Sequence, residues 1–135
     1  MTFLKSFAAG FASTLAFHQG LLWLLHRLGS TPRAPWNFAP VPPLGVPAVI
    51  SLAFFGGLWA IALAWLIQEA RGSRYWLLWT LLGALGPSVV AWMLVMPLKG
   101  MAMAAGGDSK IMIGALLLNA AWGAGCALFL RLLPR

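Results

Sequence analysis

Four side chains stand out as able to do chemistry within long uncharged stretches: His18, Gln19, Ser88 and Asn119. An imidazole can move a proton or bind a metal, and amides and hydroxyls can orient a solute through their donors and acceptors. At membrane depth such groups are costly unless satisfied, so they are expected to face other helices and to hydrogen-bond one another. Counted at 1.5 Å per residue from the midpoint of each stretch, His18 lies about 4–5 Å outward of the centre. Ser88 lies about 3 Å and Asn119 about 2 Å outward, with Gly56 and Gly57 close to the centre. A shared depth near the midplane is where transporters and channels keep their sites. The plainer alternative is structural: a neutral, hydrogen-bonded His18 and an Asn119 that joins helices. In a regular helix Gln19 lies about 60° from Ala16 while His18 lies roughly opposite, so the two are not expected to share one partner.

Other chemistry has little to work with. No carboxylate stands within an uncharged stretch, and no Ser, His and acid set is recognisable, so the chain is not expected to be an enzyme. His18 and His26 are the only histidines and share one helix about 12 Å apart, which cannot clamp a haem between helices. Met93, Met96, Met101 and Met103 are soft ligands suited to Cu(I), but read more simply as apolar filler. No metal and no cofactor is therefore assigned. Cys126 is the single cysteine, so no intramolecular disulfide can form; its neighbours Gly125 and Ala127 mark a packing position.

The elements that must position these residues follow from composition. Of 135 residues, 61% are hydrophobic and 8% charged, against roughly 25% charged in an ordinary soluble domain. The charges leave uncharged runs over 6–26, 34–68, 75–98 and 111–130. Each holds one spanning helix, since a hydrocarbon core about 30 Å thick needs about 20 apolar residues. The expected fold is all-α: a single transmembrane domain of four helices in an antiparallel bundle, with spans at about 3–28, 48–67, 75–96 and 111–130. Lys5 followed by apolar residues imitates a signal peptide. The apolar stretch is too long for one and lacks a small-x-small cleavage site, so the segment is expected to be retained. Nine Lys and Arg against two acids lie at span ends rather than on one face, which reads as topology signals and headgroup contacts, not nucleic-acid binding.

Between the first two spans, 29–47 holds six of the nine prolines together with Trp36 and Phe38, so it should be extended, with the two aromatic rings at headgroup level. In the third span Gly83, Gly86 and Pro87 precede Ser88, and the missing Pro87 N–H predicts a kink there. Small residues at four-residue spacing predict the packing faces: Ala8, Ala12, Ala16 and Gly20; Gly56, Ala60 and Ala64; Ala115, Gly123 and Ala127, with Asn119 in the missing place. Lys5, Arg71, Arg74, Arg131 and Arg135 on one side outnumber Arg27, Arg33, Lys99 and Lys110 on the other, which favours both termini in the cytoplasm. So close a balance also permits insertion both ways and hence an antiparallel homodimer.

Phe17-His18-Gln19-Gly20, His26, Pro43-Leu44-Gly45-Val46-Pro47 and the stretch Ser51 to Trp59 resemble a group of small bacterial membrane proteins. The resemblance covers mainly the first half and implies a bacterial inner membrane, with no activity attached. Small multidrug exporters need a glutamate in the first span, which is missing here, and the glycine, arginine, asparagine and phenylalanine pattern of fluoride channels cannot be placed. Two functional expectations follow, each with the lipid bilayer as a partner. One is a homo-oligomeric transporter or channel for a small solute or ion, with a polar site at His18, Gln19, Ser88 and Asn119. The other is a non-catalytic accessory or assembly subunit of a larger membrane complex.

Overall fold

The computed structural model describes residues 3–134, so Arg135, counted above among the C-terminal charges, lies outside the described residues. The chain is all-helical apart from its loops and one small hairpin. Its four long helices are α1 (Phe3–Arg27), α2 (Ala48–Ile67), α3 (Gly72–Leu98) and α4 (Ser109–Leu132), each long and apolar enough to cross a membrane.

Helix ends are set by local chemistry. α1 closes on Gly29, whose φ of 74° lets its N–H reach the His26 carbonyl while the Ser30 N–H reaches that of Leu25. α4 opens on Asp108, whose carboxylate accepts from the N–H groups of Lys110 and Ile111 at 3.0 and 3.4 Å. α2 opens directly out of a hairpin of β1 (Pro40–Val41) and β2 (Val46–Pro47), in which Pro40 pairs with Pro47 and Val41 with Val46. The N–H groups of Ala48 and Val49 find the carbonyls of Ala39 and Asn37, both at 2.9 Å. The proline-rich segment is thus extended only in part and caps the helix it precedes. From α2 to α3 the chain turns within a few residues, with Gly72 at φ 58°.

α1 and α3 each contain one wider turn, in which a backbone N–H reaches back five residues: Thr14–His18 in α1 and Ala91–Val95 in α3. α3 runs through Pro87 as helix, and its wider turn follows directly after Val90.

A cluster of buried hydrophobic residues gathers α2, α3 and α4 around Trp79, Trp122 and Cys126, with Ala60, Ala64, Ile67 and Ala127 among them. α3 lies along α4 through a series of close approaches that descend one helix as they ascend the other. Tyr75 meets Ala127, Trp79 and Gly83 meet Gly123, and Ser88 meets Asn119. A Cβ at Gly83 would stand 2.8 Å from the Gly123 Cα, so the two backbones touch. α1 meets α2 at Gly10, which abuts Gly56 and Ala60, and meets α4 at Ser13 and Phe17, which reach Trp122, Gly125 and Phe129.

The predicted packing faces fare differently from one helix to the next. Ala60, Ala64, Gly123 and Ala127 are buried, Gly56 is in contact with Thr14 and Gly10, and Ala115 is half-buried. On α1 the expected stripe is not the packing face. Ala8 and Ala16 are exposed, Ala12 is half-buried, and nothing lies within 4 Å of a Cβ placed on Gly20. Ser6, Ala9, Gly10, Ser13 and Thr14 are buried instead, and beyond the wide turn so are Gln19 and Leu22. The wide turn accommodates an extra residue, so a stripe drawn at strict four-residue spacing through it cannot stay on one face.

Candidate functional site

The first polar group is built on the wide turn of α1. A regular helix would send the Gln19 N–H to the Leu15 carbonyl; here it reaches Thr14 and Ala16 instead. The Leu15 carbonyl accepts from the Trp36 indole N–H at 2.9 Å. The Trp36 backbone N–H donates to Gln19 Oε1 at 2.7 Å, and Gln19 Nε2 lies 3.0 Å from His18 Nδ1. A backbone N–H can only donate, which fixes the amide orientation of Gln19 and makes its NH₂ the donor to His18. His18 Nδ1 is then an acceptor and the ring proton sits on Nε2. Trp36 is held by these two bonds at φ 49°, a left-handed conformation that costs a bulky residue energy and persists only where neighbours enforce it. The proline-rich segment is therefore latched back onto α1.

The second polar group joins α3 and α4. Asn119 Nδ2 donates to Ser88 Oγ at 2.9 Å, and Ser88 is fully buried. One helical turn beyond Ser88 stands Trp92, buried, whose indole N–H has no acceptor among the described residues. Pro87 stands within the continuous helix just before Ser88, while Gly83 and Gly86 are packing positions. Gly83 lies against Gly123, and a Cβ at Gly86 would stand 3.1 Å from the Trp59 ring.

A third polar group, at the meeting of α1, α2 and α4, was not among the sequence candidates. Ser13 Oγ donates to the Trp122 carbonyl at 2.6 Å, and the Trp122 indole donates to the Gly10 carbonyl at 3.1 Å. Thr14 Oγ1 donates to the same carbonyl at 2.9 Å. The signal was present in the sequence as Ser6, Gly10, Ser13 and Thr14, small residues at spacings of four, three and one, all but Gly10 bearing a hydroxyl.

Of the four sequence candidates, the structure brings His18 to Gln19 and Ser88 to Asn119. Among the described residues no hydrogen bond joins one pair to the other. No cluster of three or more His, Cys, Asp or Glu side chains occurs among the described residues. Met93, Met101 and Met103 are exposed, and Cys126 is a free, buried thiol. Apart from the Trp92 indole, the donors described in these groups face carbonyls, an amide oxygen, a hydroxyl or an imidazole of the same chain, which suits them to hold helices in register. Comparison with protein-family models, with curated proteins and with solved structures finds no match.

Proposed function

We propose that this chain is a four-span integral protein of the bacterial inner membrane, an antiparallel bundle bent at Pro87 with both termini in the cytoplasm. In this reading it is a non-catalytic accessory or assembly subunit that packs against the helices of a larger membrane complex. The membrane placement is supported by the outward faces, where Phe54, Phe55, Leu58, Trp65, Leu77 and Leu85 are exposed, as a lipid-facing surface requires. The observation that carries the functional reading is that His18, Gln19, Ser88 and Asn119 are already engaged within the chain. Groups so engaged add stability between helices and leave a solute little to bind.

A second reading, a homo-oligomeric transporter or channel, is favoured by one observation. The Trp92 indole N–H is buried without an acceptor one turn from the Ser88–Asn119 pair. An acceptor-bearing solute could satisfy it. Native mass spectrometry of the tagged chain, extracted in mild detergent at native expression level, separates the two. Foreign subunits in stoichiometric amount are expected; small multiples of the 14.5 kDa chain alone, with solute flux in liposomes that Trp92→Phe abolishes, would support transport instead.

A further inference from the structure

Three arginines gather where α2 passes into α3, and they differ in what holds them. Arg71 donates to the carbonyls of Gln68 and Ala70 at 3.1 and 3.2 Å and so closes the turn. Arg131 lies 4.6 Å over the Tyr75 ring and 6.0 Å from that of Trp76. Arg74 has no hydrogen bond or ion pair among the described residues. It borders a shallow, open groove along the outer face of α3, lined also by Ser73, Trp76, Leu77 and Thr80.

The lining is graded along the helix. Ser73, Leu77 and Thr80 follow one another at spacings of four and three and share a face of α3 that runs about 10 Å from the first turn inward. A guanidinium and a hydroxyl stand at the outer end, an indole beside them, and an apolar side chain one turn deeper. A phospholipid presents the same order, with a charged phosphodiester, an ester level and an acyl chain. Glu69, the only acid in this turn, forms no ion pair with any of the three arginines, so the local charge is positive and uncompensated. An unpaired arginine at the end of a spanning helix is suited to an anionic headgroup.

We propose that this groove binds one anionic phospholipid, with the phosphodiester on Arg74 and Ser73 and an acyl chain along Leu77 and Thr80. The site rests on the membrane reading given above. It is tested by titrating the delipidated full chain in detergent with phosphatidylglycerol and with phosphatidylcholine of the same acyl chains, following lipid adducts by native mass spectrometry. Phosphatidylglycerol is expected to bind more tightly. Arg74→Gln should lower that preference about fivefold, the size expected of one arginine at an anionic surface. Arg74→Lys should retain most of it, and Lys99→Gln, remote from the groove, all of it. An unchanged preference in Arg74→Gln, or an equal loss in Lys99→Gln, would overturn the site. Inorganic phosphate at the same concentration should not displace the lipid; displacement would reassign the groove to a soluble anion and overturn the lipid proposal. Carbonate extraction of native membranes keeps the two readings apart. Release of the chain would overturn the membrane reading and the site together, whereas a retained chain without lipid preference would overturn the site alone.

Discussion

The α3–α4 seam and the α1 latch are built from the same materials, small residues and a few polar side chains, but by different means. Along α3 and α4 both helices keep a regular period from Tyr75 to Ser88 and from Asn119 to Ala127. Backbone contact at Gly83 and Gly123 and the Ser88–Asn119 bond therefore fall on one line. In α1 the turn at Thr14–His18 breaks the period. It turns the face by one residue, frees the Leu15 carbonyl and gives the loop residue Trp36 somewhere to bind. A regular helix supplies contact to its neighbour; an interrupted one supplies a backbone acceptor, which a side chain from elsewhere then occupies.

The largest effect that separates the two regions is expected at the seam. In Gly123→Ala the added Cβ runs into the Trp79 carbonyl, a backbone atom that cannot swing aside, and Gly83 is beside it. A loss of about 3 kcal/mol or more is expected, read as failure to recover folded protein from detergent or as a large fall in Tm. Asn119→Leu and Ser88→Ala should each cost about 0.6–1.7 kcal/mol, the range of interhelical hydrogen bonds in membranes, and a double-mutant cycle should show most of the two losses to be shared. Fully additive losses would mean that the pair does not act as one bond.

At the latch, Trp36→Phe keeps an aromatic ring, though a smaller one, and removes the donor to Leu15, for an expected loss of about 1 kcal/mol. The clearer readout is local. Protease cleavage within 29–47 should accelerate while the helices stay intact, and unchanged cleavage would show that the segment is held by something else. The smallest effect belongs to Gly20→Ala, in open space on the face that four-residue spacing had marked as an interface. It should be neutral or stabilising by up to about 1 kcal/mol, as expected for Ala over Gly in a helix. A loss as large as that of Gly123→Ala would restore the Ala8–Gly20 stripe as a packing face and contradict the register set by the wide turn.

Legibility follows the same division. Four helices and their approximate extents could be read from the spacing of charges, because length and hydropathy alone decide them. α3 nevertheless begins at Gly72 rather than Tyr75, taking the charged Arg74 into its first turn, and continues through Pro97 to Leu98. In α2 and α4, small-residue spacing located Ala60, Ala64, Gly123 and Ala127, because a constant period maps position onto face. The hydroxyl face of α1 was written in the spacing of Ser6, Ser13 and Thr14 but lay beside the more regular Ala8–Gly20 stripe, and the Trp36 latch was not legible. No local pattern marks a five-residue hydrogen bond, and the partner of Leu15 lies 21 residues away in a segment whose path depends on turns at proline. His18 and Gln19 drew notice as polar residues in an apolar stretch, but their bond to one another depends on the amide orientation that Trp36 imposes.

The central claim is that the polar groups at mid-depth close the bundle rather than line a path through it, and cysteine labelling in native membranes tests it most directly. Ser88→Cys is nearly isosteric, the parent chain with its buried Cys126 serves as the blank, and Ser30→Cys in the exposed loop serves as the reactive control. A charged, water-soluble methanethiosulfonate reagent is expected to modify Ser30→Cys and to leave Ser88→Cys as unreactive as the parent. Modification of Ser88→Cys at a rate comparable to the loop control would mean that water reaches the Ser88–Asn119 pair, and would contradict the claim.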